Sequence, residues 1–226
     1  MMKRNQSGFT LIEIAIVLVI IGLLLGGVMK GQELINSAKV KNLAADFKNT
    51  SLYIYSYQDK FRALPGDDAQ AGSHVSEATT LSGGNVGNGR VDGKWDSTST
   101  TDESYVFWEH VRKSGIATGI VNMADTVGYP QRNTLGGVVG ITNSTDDNSP
   151  IGKSTNLPDD RLKGAYIICS GNILGKFAKQ LDIMMDDGST STGSMQTAPQ
   201  GTTGTINATA VSDPEDATLY TVCMGV

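Results

Sequence analysis

Residues 8–13 read Gly-Phe-Thr-Leu-Ile-Glu, and they place one carboxylate, Glu13, at the start of a long apolar stretch. A short leader with Lys3 and Arg4 precedes the motif, and an uncharged run follows it over residues 14–29. A charged side chain inside a bilayer is costly, and such side chains are usually paired. We therefore expect Glu13 to need a partner once the chain leaves the bilayer, and we expect that partner outside its own helix.

This segment resembles the N-terminal signal of type IV pilins and of the pseudopilins of type II secretion systems. The resemblance implies that a prepilin peptidase cuts between Gly8 and Phe9 and that Phe9 becomes the N-methylated first residue. It also implies that Glu13 meets the Phe9 amine of a neighbouring subunit in a filament. An opposite charge nearby in a low dielectric favours the ionised form of both groups.

Two other kinds of N-terminal segment also combine basic residues with an apolar run. A conventional secretory signal has its cleavage site after the apolar run, whereas here the glycine precedes that run and Gln-Glu-Leu follows it at residues 32–34. An uncleaved signal anchor stays open, because Lys3 and Arg4 would hold the N-terminus in the cytoplasm.

The helical pattern continues beyond the apolar run, since no proline occurs before Pro65. Apolar side chains recur at helical spacing and form one stripe, made of Val40, Leu43, Phe47, Ile54, Tyr57 and Phe61. We predict one helix from Phe9 to about Lys60. The expected fold is α+β and pilin-like: the hydrophobic half of this helix protrudes, and its amphipathic half packs on a C-terminal antiparallel β-sheet body with long loops.

The predicted organisation has three parts. Residues 1–8 form a leader that is removed, residues 9–32 a transmembrane and filament-core segment, and residues 33–226 the amphipathic helix with an exported globular body. Within the body, residues 105–111 predict a short helix with core aromatics, and residues 172–185 predict another. The strand candidates are residues 136–142, 165–169, 205–211 and 219–224.

Three short motifs in the body also resemble a subgroup of prepilin-like proteins, and none carries an assigned chemistry. They are Leu-Pro-Gly-Asp at residues 64–67, Phe-Trp-Glu-His at 107–110, and Asp-Asp-Gly at 186–188 followed by Thr192 and Gly193.

Cys169 and Cys223 are the two cysteines of the chain. In an oxidising compartment a bond between them would stabilise the fold by roughly 4 kcal/mol on the loop-entropy model, and the pair resembles the C-terminal disulfide loop of many pilins. Two buried free thiols are the alternative. We predict the disulfide because a protein with a cleaved leader works outside the cytoplasm.

The formal net charge is −5, which argues against nucleic-acid binding because phosphate recognition needs concentrated Lys and Arg. We expect no cofactor. Two acidic clusters leave calcium open, since hard oxygen ligands suit Ca²⁺, but neither matches an EF-hand loop and solvated turns explain both. One cluster is Asp92, Asp96, Asp102 and Glu103 with Asn88; the other is Asp182, Asp186 and Asp187.

Enzymatic motifs are scarce. His74 in a predicted loop and His110 on a predicted short helix are the only histidines, and no metalloprotease, nucleophile-elbow or phosphate-loop motif occurs. A catalytic triad built on Ser170 or Ser114 is the remaining enzymatic option.

The sequence therefore favours a non-enzymatic filament subunit. Its expected partners are the prepilin peptidase, the inner-membrane assembly platform, and copies of itself with other pilins or pseudopilins. It would span the inner membrane once before assembly and lie in a periplasmic or cell-surface filament afterwards. The alternative is a membrane-anchored periplasmic binding protein or enzyme, and the pattern does not separate a pilin from a pseudopilin.

Overall fold

The computed structural model describes residues 10–83, 85–143, 150–151, 162, 164–201, 208–211 and 217–226. Helix α1 spans Leu11–Phe61, close to the predicted limits, and a four-stranded antiparallel sheet follows it. The predicted α+β class is confirmed, and this layout matches the pilin-like fold. The chain divides into two compact units, with the boundary between Ala38 and Lys39.

The second half of α1 carries the predicted buried stripe. Five of the six predicted residues are buried, and Phe61 is partly buried; Ala44 and Thr50 also face the core. The helix ends at Phe61 because Arg62 adopts a left-handed conformation with φ of 58°, which stops helical hydrogen bonding. Burial of this stripe attaches the second half of α1 to the body.

Within the described residues, three shorter helices follow: α2 at Ala71–His74, α3 at Glu103–Lys113 and α4 at Gly175–Met185. Tyr105, Phe107, Trp108 and Val111 of α3 all lie in the core, so the predicted core role of these aromatics is confirmed. His74 lies at the end of α2 rather than in a loop.

The sheet contains β1 at Val139–Asn143, β2 at Tyr166–Leu174, β3 at Met195–Pro199 and β4 at Leu219–Gly225. Its order is β1-β2-β4-β3, and every neighbouring pair is antiparallel. Strands β2 and β4 are therefore central, while β1 and β3 are the edges.

Some predicted boundaries were wrong. Strand β2 continues to Leu174, so residues 172–174 are strand rather than helix; a register irregularity between Ser170 and Ile173 and a left-handed Asn172 let the strand run on. Strand β3 was not predicted. Of the predicted strand at 205–211, residues 205–207 lie outside the described residues, and residues 208–211 form no strand.

Candidate functional site

The N-terminal end of α1 is closed by a reciprocal pair of hydrogen bonds between Thr10 and Glu13. The Thr10 backbone N–H and hydroxyl both donate to Oε2 of Glu13, at 2.7 and 2.8 Å, and the Glu13 backbone N–H donates to the Thr10 hydroxyl at 3.3 Å. This is the capping box that Thr-x-x-Glu forms at a helix start. Thr10 lies directly before α1, so the single chain gives Glu13 hydrogen-bond donors from outside its own helix. The partner expected in a neighbouring subunit stays a prediction.

The residues after Glu13 expose an apolar surface. The large side chains from Leu11 to Met29 are exposed in the single chain, and α1 is long and apolar enough to cross a membrane, as the one such helix in the described part of the chain. The apolar run ends at a salt bridge between Lys30 and Glu33, with 2.6 Å between Nζ and Oε2. Such a surface needs a lipid or protein environment, since exposed apolar area of this extent is unfavourable in water.

Four glycines of this segment, Gly22, Gly26, Gly27 and Gly31, form two small-xxx-small spacings. Apart from the adjacent backbone of α1, a Cβ atom added at any of them would meet nothing within 4 Å. Their lack of a side chain is thus not required by packing inside the described chain. Small residues at this spacing permit close approach of another helix.

The predicted cleavage and methylation residues, Gly8 and Phe9, lie outside the described residues. The sequence places Phe9 directly before Thr10, so the capping box would remain intact in a chain cut between Gly8 and Phe9.

In the body, two of the three short motifs, Leu-Pro-Gly-Asp and Phe-Trp-Glu-His, contact each other through a hydrogen bond. Gly66 of the Leu-Pro-Gly-Asp turn donates its backbone N–H to Nδ1 of the fully buried His110, at 2.9 Å, and Nε2 of the same ring bonds the Thr79 carbonyl at 2.7 Å. Because Nδ1 accepts, Nε2 must carry the proton. Burial lowers the pKa of His110, so both ring nitrogens of a neutral histidine are used in holding the turn against α3.

The neighbouring aspartates also have structural partners. Asp67 accepts hydrogen bonds from the backbone N–H groups of Gly87, Asn88 and Gly89. Asp68 accepts the Tyr57 hydroxyl at 2.9 Å and contacts Nδ1 of His74 at 2.7 Å. Asp67, Asp68 and His74 are among the residues that line a cavity of about 530 Å³. Among the described lining residues there is no Ser, Thr, Cys or Lys, which leaves the Asp68–His74 pair without the nucleophile that a triad requires.

The first predicted acidic cluster is not a single group of free carboxylates. Glu103 is the first residue of α3, only 4 % exposed, and accepts the Asp92 backbone N–H at 2.7 Å. Asp92 accepts the side-chain amides of Asn88 and Asn143. Asp102 accepts the Ser97 hydroxyl. Burial, together with the nearby Asp67 and Asp92 charges, raises the pKa of Glu103 to about 8.

The second predicted acidic cluster does converge. Among the described residues, Asp182, Asp186 and Asp187 form a group in which one carboxylate oxygen of each residue lies within 4.8 Å of the others. Asp182 is fully buried, and neither of its oxygens receives a hydrogen bond of acceptable geometry. Burial raises its pKa to about 6, although the backbone amides of Gly188 and Ser189 lie near enough to lower it in part.

The third short motif, Asp-Asp-Gly followed by Thr192 and Gly193, includes two of these aspartates and forms the loop next to them. Asp187 accepts the Thr192 hydroxyl at 2.8 Å, and Asp186 accepts the Met195 backbone N–H at the same distance. A Cβ atom at Gly193 would lie 2.0 Å from Oδ2 of Asp186. The glycine and the threonine of this motif therefore shape the loop around the two aspartates.

Cys169 on β2 and Cys223 on β4 form a disulfide bond across the two central strands. Both residues are fully buried, and Ile151, Leu162, Ile167 and Ala198 pack around them.

One comparison with known families gives a match. Residues 3–29 match the model of the prokaryotic N-terminal methylation motif, which is the signal of type IV pilins and pseudopilins. No curated protein matches the chain. The match covers most of the predicted leader, the capping box and the apolar run, so it supports a type IV pilin- or pseudopilin-like precursor.

Proposed function

We propose that the protein is a structural subunit of a type IV pilus or pseudopilus. It enters the inner membrane as a precursor, is cut after Gly8 and methylated on Phe9, and joins a helical filament through the first half of α1. The observation that carries this proposal is the methylation motif at residues 3–29, which includes an apolar helical surface that has no partner within the described chain.

The capping box suggests how Glu13 acts in this scheme. Its carboxylate lies at the N-terminal end of α1, against the Thr10 amide, where the partial positive charge of the helix end favours an anion. Cleavage would place a new α-amino group on the residue before Thr10. Glu13 is thus held near the N-terminus that a neighbouring subunit would approach, and it keeps lone pairs for a second donor.

The experiment separates processing from assembly. In the native host, Glu13→Ala is expected to be cleaved and methylated normally but to yield few filaments, because the carboxylate that pairs with the neighbouring amine is missing. Glu33→Ala, which removes an exposed carboxylate of the same helix paired with Lys30, is expected to assemble normally.

Two outcomes would contradict this role. Wild-type filament yield from Glu13→Ala would remove Glu13 from assembly. Loss of cleavage in Glu13→Ala would assign the residue to recognition by the peptidase instead. If wild-type protein never sediments with a filament, the membrane-anchored binding protein or enzyme becomes the better account.

A further inference from the structure

Asn88 and Gly89 form the only Asn-Gly pair in the sequence. An asparagine followed by glycine is chemically labile, because glycine has no side chain to hinder its backbone nitrogen from attacking the asparagine side chain. The attack closes a succinimide ring, and water then opens the ring to aspartate or isoaspartate. The pair lies in the loop between α2 and α3, and both residues are exposed, so burial does not shield it from water.

The conformation of the loop explains why a labile pair is present there. Gly89 has a φ of +82°, in the left-handed region that glycine adopts more readily than other residues. Apart from its chain neighbours, a Cβ atom at Gly89 would meet nothing within 4 Å, so the backbone conformation, rather than packing, favours glycine. The loop therefore contains an exposed Asn-Gly peptide that only its hydrogen bonds can restrain.

The buried carboxylate of Asp67 supplies these hydrogen bonds. Its Oδ2 accepts the backbone N–H of Gly89 at 2.7 Å, and its Oδ1 accepts those of Gly87 and Asn88. Asp67 is only 3 % exposed, and hydrogen bonds to a charged acceptor are stronger than neutral ones. The carboxylate therefore fixes three consecutive N–H groups of the loop.

The direction of the Gly89 N–H bond decides whether the succinimide ring can close. In the ring the glycine nitrogen is planar, and its new bond to Cγ of Asn88 takes the place of its bond to hydrogen. In the structure the N–H bond points at Oδ2 of Asp67, so Cγ of Asn88 cannot lie in that direction. Ring closure therefore requires the hydrogen bond between Gly89 and Asp67 to break first.

The side chain of Asn88 is held as well. Its Oδ1 accepts the Arg90 backbone N–H at 2.8 Å, which closes an Asx turn, and its Nδ2 donates to Oδ2 of Asp92 at 3.2 Å. Deamidation would replace this donor by a carboxylate, which Asp92 would repel because like charges at such a distance are unfavourable. The reaction would therefore destabilise the loop as well as change its charge.

We propose that Asn88 is a deamidation site that Asp67 keeps unreactive in the folded body. When the loop opens, the Gly89 nitrogen gives its proton to a solvent base and bonds to Cγ of Asn88. The bond from Cγ to Nδ2 breaks, and the amide nitrogen takes a proton from water and leaves as ammonia. Water then hydrolyses the ring. The rate follows the fraction of open loop, as expected for a local opening equilibrium. This inference does not rest on the filament role.

The test is peptide mapping by mass spectrometry of full-length protein, purified in detergent and incubated at mildly alkaline pH. Asp67→Ala should deamidate Asn88 faster than wild type by about tenfold or more, because each hydrogen bond lost to a charged acceptor shifts the opening equilibrium by about that factor. Asp68→Ala is the matched control. It also removes a buried carboxylate, but the bonds of Asp68 to Tyr57 and Gln70 lie outside the loop, so its rate should stay close to that of wild type.

Two further measurements use wild type alone, so they do not depend on whether Asp67→Ala folds. In denaturant, where the loop is open, Asn88 should deamidate at least about tenfold faster than in the folded protein. Hydrogen exchange should show the Gly89 amide protected in the folded protein although the residue is exposed, because its N–H is bound to Asp67.

Four results would overturn the proposal. They are a wild-type rate of Asn88 deamidation in folded Asp67→Ala; an equal rise in Asp68→Ala, which would attribute the protection to global stability; equal rates in folded and denatured wild type; or an unprotected Gly89 amide in the folded protein. All four are measured on isolated chains, so failure to form filaments would not affect them.

Discussion

The disulfide between Cys169 and Cys223 is expected to contribute much of the body's stability. The bond closes a segment of 54 residues that contains α4 and β3. On the loop-entropy model, a cross-link of this span stabilises the folded state by about 4 kcal/mol. Total stabilities are commonly about 5–15 kcal/mol, so loss of the bond should change unfolding strongly.

Two perturbations separate the cross-link from the packing of its sulfur atoms. Reducing the wild-type protein breaks the bond and keeps both sulfurs, so the free energy of unfolding should fall by about 4 kcal/mol. The double variant Cys169→Ala with Cys223→Ala also leaves two small cavities, because both side chains are fully buried. Each cavity costs about 1 kcal/mol, so the double variant should lose about 6 kcal/mol in total.

The assay is denaturant unfolding of full-length protein in detergent, followed by tryptophan fluorescence. Trp95 packs against the cluster that contains both cysteines, so its emission reports on this part of the core. A reduced protein that loses less than about 1 kcal/mol would refute the cross-link reasoning. Equal losses in the reduced protein and the double variant would refute the packing part.

Two further predictions concern the body. Gly66→Ala should destabilise the body by about 2 kcal/mol or more. The new Cβ would lie 2.4 Å from the Glu103 carbonyl oxygen, and Gly66 has a φ of +92°. Gly83→Ala is the control: its Cβ would meet nothing within 4 Å, so it should have little effect in the same unfolding assay. Glu103 has its pKa raised from 4.5 to about 8, so the folded state retains a proton that the unfolded state has lost, and stability should fall as pH rises through this window. Glu103→Gln should flatten that fall when unfolding temperature is measured from pH 5 to pH 9, and a wild-type stability that rises over this window would contradict the assignment.

The elements with long, regular patterns were predictable from the sequence. The stripe of α1 is one example, since its apolar residues keep a helical period over many turns and all pack on one core. Strand β3 was not predictable from the sequence, because Met195–Pro199 contains polar residues and a proline. Its register comes from pairing with β4. A proline at the end of an edge strand is tolerated there, but it weakens the sequence signal.

Some features of the candidate sites were likewise predictable from the sequence, and others were not. The Thr10–Glu13 cap follows from the Thr-x-x-Glu pattern alone, although the partner predicted for Glu13 was an intersubunit one. The burial of Asp182 could not be predicted, because it depends on how α4 packs on the sheet. The sequence pattern does not distinguish the two acidic clusters, and only the tertiary structure shows that the carboxylates of Asp182, Asp186 and Asp187 converge.

The most direct test of the filament-subunit account is the intact mass of the protein isolated from its native host. The account predicts a chain that begins at Phe9, with the mass of the leader removed and the mass of one methyl group added, and fragmentation should locate that methyl group on the Phe9 amine. A mature protein that still begins at Met1, or one cut after the apolar run instead of before it, would contradict the account.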